Sequence, residues 1–370
     1  MLRKFNFKML PLILSLAWPT MLEQLMQTAV QYIDTAMVGS LGTEATAAVG
    51  TSATAAVGAT TTVNWLVGSS VSALGVGFIA FISQSVGAGR KDLAAKASGQ
   101  SVLTVLVSGL FFTAATLLAS PFVPALMQVD EEIRELSAQY FFILYTPMLF
   151  RAATIIFGSV LRGAGDSKTP MLVGFAVNII NVVLNLLLIY PTRTASVFGK
   201  SFTVYGADMG VIGAAAASAI AFAAGGILIT AALFRHKDIA PSRASLRPDK
   251  EILKPCLRVA LPNMLQRFGT SFGYVVFASM INSLGGVATA AHTIANTVES
   301  AFYIPAYGMQ TAAATLAGNA LGAGDEKKMR SFTRMIIIIE VLMMTVTGGL
   351  LFVFAPAMVS VFSKSAEVIL

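Results

Sequence analysis

Nine long apolar runs follow one another along the chain, and they constrain its fold more than any other feature. Each is close to or above the roughly 20 residues that an α-helix needs to cross a bilayer. Only 12% of the residues are charged, against roughly 25% in a soluble domain. We therefore predict an all-α, polytopic transmembrane helical bundle with spans near 11–38, 52–82, 99–120, 136–159, 170–190, 209–234, 255–281, 287–317 and 333–356.

Basic residues are distributed unevenly between the two sides of this predicted bundle. With the N-terminus in the cytoplasm, most of the 25 Lys and Arg residues fall in cytoplasmic loops, above all in residues 235–258. Because Lys and Arg in short loops set the orientation of spans, we expect a cytoplasmic N-terminus. The same placement accounts for the net charge of +7 without nucleic acid as a partner.

An internal repeat relates the start of the chain to its second half. The matching positions are 19 with 262, 40–42 with 283–285, 45–48 with 288–291, and 87–89 with 322–324. Six predicted spans separate the copies, and an even number preserves orientation. We therefore expect two parallel six-helix repeats, related by an axis along the membrane normal.

The repeat also predicts the division of the chain. An N-terminal six-helix lobe covers 1–234, a cytoplasmic linker covers 235–254, and a C-terminal lobe covers 255–370. By this register the second lobe contains only its first three helices, so that about nine of twelve spans are present. Two interpretations stay open: a truncated and non-functional fragment, or a naturally short product.

The first predicted span carries a stripe of polar side chains. Their spacings of four and three residues put them on one face of a helix: Thr20, Gln24, Gln27, Gln31 and Asp34. A charged group facing lipid is expensive, so we expect this face to meet protein or a water-filled cavity.

A second polar face lies in the fifth predicted span, where Asn178, Asn181 and Asn185 are three and four residues apart. Asp34 and Asn185 lie at similar depths near the outer ends of their spans. A carboxylate among amide dipoles can bind a proton or a sodium ion, so we predict a cation-coupling site at these four residues. The alternative is that the asparagines only hold helices together.

Further ionisable residues fall inside predicted spans. An unpaired charge in hydrocarbon costs several kcal/mol, so we expect Glu23 to pair with Arg267 across the two halves, or Arg267 to pair with Glu299. The residues predicted to line a cavity or to act in gating are Gln24, Gln27, Gln31, Glu23, Arg267 and Glu299.

The sequence gives no indication of an enzyme. Two histidines and one cysteine cannot build a common zinc site. The glycine-rich turns lack the pattern of a phosphate-binding loop, and no nucleophile and base have the spacing of a catalytic set. We expect no cofactor apart from the coupling ion, H⁺ or Na⁺.

Residues 161–170, LRGAGDSKTP, resemble the signature loop between spans 4 and 5 of the MATE (multidrug and toxic compound extrusion) transporters. YIDTAMVGSLG at 32–42 and AAHTIANTVESAFYIPAYGMQTAAATLAGNALGAG at 290–324 agree with that family. The resemblance implies two lobes around a central cavity, alternating access, and export of drugs, toxic metabolites and other small amphiphilic or cationic substrates. It also implies a monomer in the lipid bilayer of a bacterial inner or cytoplasmic membrane.

The resemblance further assigns roles to individual residues. Asp34 matches the family's coupling carboxylate, and Asn181 and Asn185 match its span 5 polar pair. One branch has an aspartate at the second position of that pair, and its replacement here by Asn185 leaves the coupling ion open. The sodium-type branch has a span 7 glutamate that is absent near 268–270, which favours protons. The rival hypothesis is a lipid-linked oligosaccharide flippase of the related superfamily, which would need more basic residues inside the spans.

Overall fold

The computed structural model describes residues 9–39, 47–126, 131–197, 200–284 and 302–362, together with 291, 292, 295, 296 and 299. The α-helices in chain order are α1 (Leu10–Gly39), α2 (Ala47–Gly87), α3 (Lys91–Ala119), α4 (Val123–Leu126), α5 (Glu131–Tyr145), α6 (Met148–Gly163), α7 (Lys168–Leu188), α8 (Gly210–Phe234), α9 (Lys250–Asn282), α10 (Ile304–Gly322) and α11 (Glu326–Phe362). Between α7 and α8, β1 (Pro191–Val197) pairs antiparallel with β2 (Lys200–Ala207). A 3₁₀ turn at Arg243–Leu246 precedes α9.

The polytopic, all-α transmembrane class is confirmed. Within the described residues, α3, α7, α8, α11 and the 66–87 part of α2 are long and apolar enough to cross a membrane. A sixth span forms if α5 and α6 count as one, bent by 48° beside Pro147, which cannot donate a helical hydrogen bond. Because α1, α9 and α10 contain more polar residues, their crossing stays a prediction, as do the count of nine spans and the six-helix repeats.

Successive long helices alternate in direction, so their connections fall on two sides of the bundle. We call the side with the turns at 88–90, 164–167 and 323–325 and with residues 235–249 the linker side. The opposite side, which carries β1 and β2, is the hairpin side. The sequence predicted only a loop at β1 and β2, so this hairpin is a feature that sequence reasoning missed.

Two apolar cores hold the helices together. We call residues up to 234 the first half and the residues from 250 onward the second half. The larger core lies mainly in the first half, where Phe78, Phe141, Tyr145 and Ile156 are almost completely buried between α2, α5, α6 and their neighbours. The smaller core joins α1 to α10 and α11, around Ile13, Met309 and Phe332 among others. α1 therefore packs against helices of both halves, so a displacement of α1 would change its contacts in each half.

Small residues let α2 and α10 cross in direct contact near the linker side. A Cβ at Gly87 would overlap the Asn319 carbonyl, and a Cβ at Gly322 would overlap the Gln84 carbonyl. Positions 87 and 322 are 235 residues apart, and so are positions 84 and 319. The contact of Gly87 with position 319 therefore becomes, at this offset, the contact of Gly322 with position 84. Such reciprocity is the mark of a two-fold related contact.

The turns that follow these two helices agree with the same relation. Gly89 and Gly324, which are also 235 residues apart, have φ of 73° and 70°, the left-handed conformation that terminates a helix without a Cβ clash. Ser83 lies against Gly318, again at this offset, as a local two-fold relation would require. The crossing supports the proposed parallel repeat at this point of the chain.

One buried side chain, together with an exposed ion pair and a buried isoleucine, fixes the linker-side segment 235–249 to the first half. Gln100 of α3 is 1% exposed. Its Nε2 donates to the carbonyls of Ser245 (2.8 Å) and Arg247 (2.7 Å), and its Oε1 accepts from the amide of Asp249 (2.9 Å). α9 then begins at Lys250, directly after this attachment.

Candidate functional site

Asp34 lies toward the hairpin-side end of α1, where it faces α7. Asn185 Nδ2 donates to Asp34 Oδ1 at 2.5 Å. One turn earlier on α7, the Asn181 amide lies 2.9 and 3.3 Å from the two Asp34 oxygens when its NH₂ faces them, and its carbonyl then accepts from Ser218 Oγ at 3.0 Å. α1 and α7 therefore meet at one carboxylate, and α8 contacts it indirectly through Asn181.

Two buried amide atoms along this face of α7 have no hydrogen-bond partner among the described residues. They are Asn185 Oδ1 and Asn178 Nδ2. Both side chains are buried on the same face of α7 as Asn181. An unpaired buried polar atom is costly, so these two atoms are suited to a water molecule, an ion or a substrate.

The parallel packing of α1 and α7 sets the geometry of the site. Asp34 meets Asn185 toward the hairpin side, and Glu23 lies beside Gly174 toward the linker side, where a Cβ would come 3.3 Å from Glu23 Cγ. The numbers in both pairs differ by 151, so the two helices keep one register over three turns. At the hairpin-side end, Tyr190 Oη donates to the carbonyl of Met37 at 3.1 Å, which ties the end of α7 to α1.

Glu23 does not pair with Arg267, so that prediction is wrong. Glu23 Oε2 instead accepts from Arg162 Nη2 at 2.5 Å, with the two side chains 10% and 15% exposed. Arg162 lies in the last turn of α6, and its long side chain reaches across to α1. Sequence reasoning had counted it as a loop charge.

The alternative pairing of Arg267 with Glu299 is not formed either. Arg267 Nε donates to Asn263 Oδ1, one turn earlier on α9, at 3.0 Å. Glu299 Oε1 accepts from Tyr303 Oη at 2.8 Å. Each group thus finds a partner four residues away in the chain, and such a pair needs no tertiary contact.

The glutamines of the α1 stripe differ in their surroundings. Gln24 is partly buried, whereas Gln27 and Gln31 are exposed. Because polar side chains are rarely found against hydrocarbon, this face suits a water-filled space between the halves better than lipid. Their part in a cavity stays a prediction.

Sequence reasoning missed one neighbour of the Asp34 site. Ser218, on the small-residue helix α8, bonds to Asn181, and its only sequence signal is a hydroxyl in a run of alanines. Arg151, on α6, lies elsewhere in the first half. Its guanidinium lies 5.0 Å from the Phe222 ring centroid, a cation–π contact within the first half.

A separate groove of about 490 Å³ lies between α10 and α11. Tyr303, Tyr307, Gln310 and Glu340 line it, and Glu340 Oε2 is buried without a partner among the described residues.

Among all the residues that the structure describes, no three His, Cys, Asp or Glu side chains come together as metal ligands. The oxygens for a cation at Asp34 would thus come from one carboxylate and nearby amide or hydroxyl groups.

Comparison with known proteins finds relatives over nearly the whole chain. A protein named "Probable multidrug resistance protein NorM" from Thermotoga maritima is 27% identical over 358 residues, which cover 96% of this chain and 73% of that protein. Another, "Probable multidrug resistance protein YoeA" from Bacillus subtilis, is 26% identical and is covered over only 64% of its length.

Solved structures with the same fold agree. A transporter of the MOP superfamily from Pyrococcus furiosus matches with a TM-score of 0.85 at 26% identity, over 97% of this chain and 75% of that one. An outward-facing multidrug resistance MATE transporter matches with a TM-score of 0.84 at 26% identity, over 96% and 75% of the two chains. The family profile described as MatE matches residues 19–187 and 262–370, well over half of the sequence. The chain therefore belongs to the MATE family of transporters.

Proposed function

We propose that this chain is a secondary active antiporter that exports organic cations, drugs or toxic metabolites in exchange for protons by alternating access. The observation that carries the proposal is the Asp34 carboxylate, which lies inside the helical bundle and receives amide donors from α7. It acts as a monomer in a bacterial inner membrane, on small amphiphilic or cationic substrates. Its role is transport and not catalysis, and it needs no nucleic acid or cofactor.

The hydrogen bonds around Asp34 depend on its protonation state. Asn185 and Asn181 present NH₂ groups to it, and this suits the ionised carboxylate, which only accepts. A protonated Asp34 carries an O–H donor, which requires an acceptor instead. Rotation of the Asn185 amide would offer its unpaired Oδ1, so proton binding changes how α1 and α7 are joined.

The same geometry supports H⁺ over Na⁺ as the coupling ion. A bound sodium ion requires several oxygen ligands. Asp34 supplies the only carboxylate among the contacts described at this site, and both asparagines turn NH₂ groups toward it. A proton needs one oxygen atom and one rearranged hydrogen bond.

The linker side is proposed to be the cytoplasmic side. It carries Lys91, Arg162, Arg235 and Lys237, whereas Arg193 is on the hairpin side. Basic residues are enriched in cytoplasmic connections. In this orientation the Asp34 site lies nearer the outer surface, where a proton gradient would load it.

The test uses the reconstituted full chain and an organic dye, with an imposed gradient of either H⁺ or Na⁺. Asp34→Asn keeps the size of the side chain and removes its ionisation, so we expect gradient-driven exchange to fall to the background of empty vesicles. Asp238→Asn, an equal charge change at an exposed ion pair with Lys91, is the matched control and should exchange normally. Undiminished exchange in Asp34→Asn refutes the coupling assignment, and exchange driven only by Na⁺ refutes the choice of ion.

A further inference from the structure

We propose that Glu23, Arg162 and Thr315 form a lock that holds the two halves together on the linker side, and that transport requires this lock to open. The inference rests on the proposed alternating access, because it names the contact that must break for the site to face the linker side. It assigns positioning roles to residues that neither touch Asp34 nor belong to the coupling site.

The first part of the lock is an ion pair within the first half, which fixes α6 to α1, the helix that also packs against α10 and α11. Glu23 and Arg162 lose most of their solvent exposure, and their charged atoms are 2.5 Å apart. Removing one partner would leave the other charge buried and unpaired, which strongly favours conformations that let water reach it. Arg162 Nε has no partner among the described residues, so a single hydrogen bond carries the pair.

The second part joins the same residue to the other half of the chain. Thr315 of α10 is completely buried, and its Oγ1 donates to the backbone carbonyl of Arg162 at 3.0 Å. Arg162 thus holds α1 through its side chain and α10 through its backbone. Two turns farther along α10, Gly322 lies against Gln84 of α2, so the lock adjoins the close crossing of the halves.

The lock is linked to the coupling site by α1 itself. Glu23 and Asp34 are eleven residues apart, three helical turns, and therefore lie on the same face of α1. Both are in contact with α7, beside Gly174 and Asn185. A shift of α1 that follows a changed hydrogen bond at Asp34 would displace Glu23 from Arg162, because the two carboxylates move with one rigid helix.

The protein contains a natural reporter of this opening. Cys256 is the only cysteine of the chain, and it is 3% exposed. It lies near the linker-side end of α9, where a Cβ on Gly77 of α2 would overlap its carbonyl. When the halves separate on the linker side, this thiol becomes accessible.

The experiment measures the rate at which a membrane-permeant maleimide labels Cys256 in the reconstituted full chain. We expect Glu23→Gln, which removes the charge and keeps the shape, to raise this rate about tenfold by shifting the population toward the open state. Asp238→Asn is the matched control, since it makes the same change in an exposed linker-side pair, and its rate should stay within about twofold of wild type. Cys256→Ala gives the labelling background.

A second variant keeps the test decisive if Glu23→Gln fails to fold. Thr315→Val removes the bond between the halves at nearly constant volume, so we expect faster labelling of Cys256. Thr315→Ser keeps the hydroxyl group, so its labelling rate should stay close to that of the wild type. Unchanged labelling in Thr315→Val and in a folded Glu23→Gln overturns the lock.

These outcomes separate the lock from the proposed function. If the wild type exchanges dye in a manner that depends on Asp34 while labelling ignores both lock variants, the antiporter stands and the lock is wrong. If labelling follows the lock variants but no gradient drives exchange, the lock stands as a contact between the halves and the antiporter proposal is wrong.

Discussion

Replacing Gln100 by alanine tests whether the segment 235–249 is part of the first half or a free tether. The side chain makes three hydrogen bonds, all to backbone groups of that segment. Each is worth about 1 kcal/mol net, and the abandoned carbonyls and amide add desolvation costs unless water reaches them. The expected loss is about 3 kcal/mol for local detachment, or roughly a 150-fold larger detached population.

Limited trypsin digestion measures this population, because the segment offers cleavage sites at Arg235, Lys237 and Arg243. When opening and closing are fast relative to cleavage, the cleavage rate follows the fraction of detached segments. We therefore expect Gln100→Ala to be cut within the segment roughly 100-fold faster than wild type.

The matched control is Gln139→Ala, which removes an exposed glutamine whose single 3.4 Å bond joins it to Glu135 on the same helix. Its cleavage rate should stay within about twofold of wild type. A Gln100→Ala protein that resists trypsin like wild type would refute the reasoning, since the segment would then be held by something other than this side chain.

Two further substitutions test the packing and the site. Gly322→Ala places a methyl group on the Gln84 carbonyl, so we expect a loss of about 1–3 kcal/mol and a lower melting temperature. Gly349→Ala, within α11, where a Cβ meets nothing, should leave the melting temperature unchanged or slightly raise it. Equal melting temperatures of Gly322→Ala and wild type would contradict the close crossing. Ser218→Ala removes the hydrogen bond to Asn181, so the oriented Asn181 amide loses about 1 kcal/mol of stabilisation. We therefore expect a roughly fivefold slower dye exchange, measured in vesicles with the same gradient. Exchange at the wild-type rate would show that Asn181 needs no such support.

The sequence predicts the features of this fold that follow from local physics. Apolar runs of spanning length predict the long helices because no other secondary structure satisfies every backbone group within one segment in lipid. The α5–α6 bend also has a local cause, because it lies beside Pro147. Apolar length says little about polar connections, and for this reason the hairpin of β1 and β2 was missed.

The candidate site was predictable to the extent that depth and helical face decide it. Asp34 and Asn185 were expected at similar depths, and the structure brings them within hydrogen-bonding distance. The partner of Glu23 was not predictable in this way. Arg162 is 139 residues away, and its reach from the end of α6 depends on how α1 and α6 pack together.

The attachment of residues 235–249 to α3 has a consequence for how the second half can move. With Asp249 bonded to Gln100, no slack chain remains between the first half and the start of α9. Relative displacement of the halves must then be absorbed within α9, which contains Pro255 and Pro262 and lacks the corresponding backbone hydrogen bonds. The chain connection between the halves is therefore held in place at the start of α9 and can bend at the two prolines within that helix.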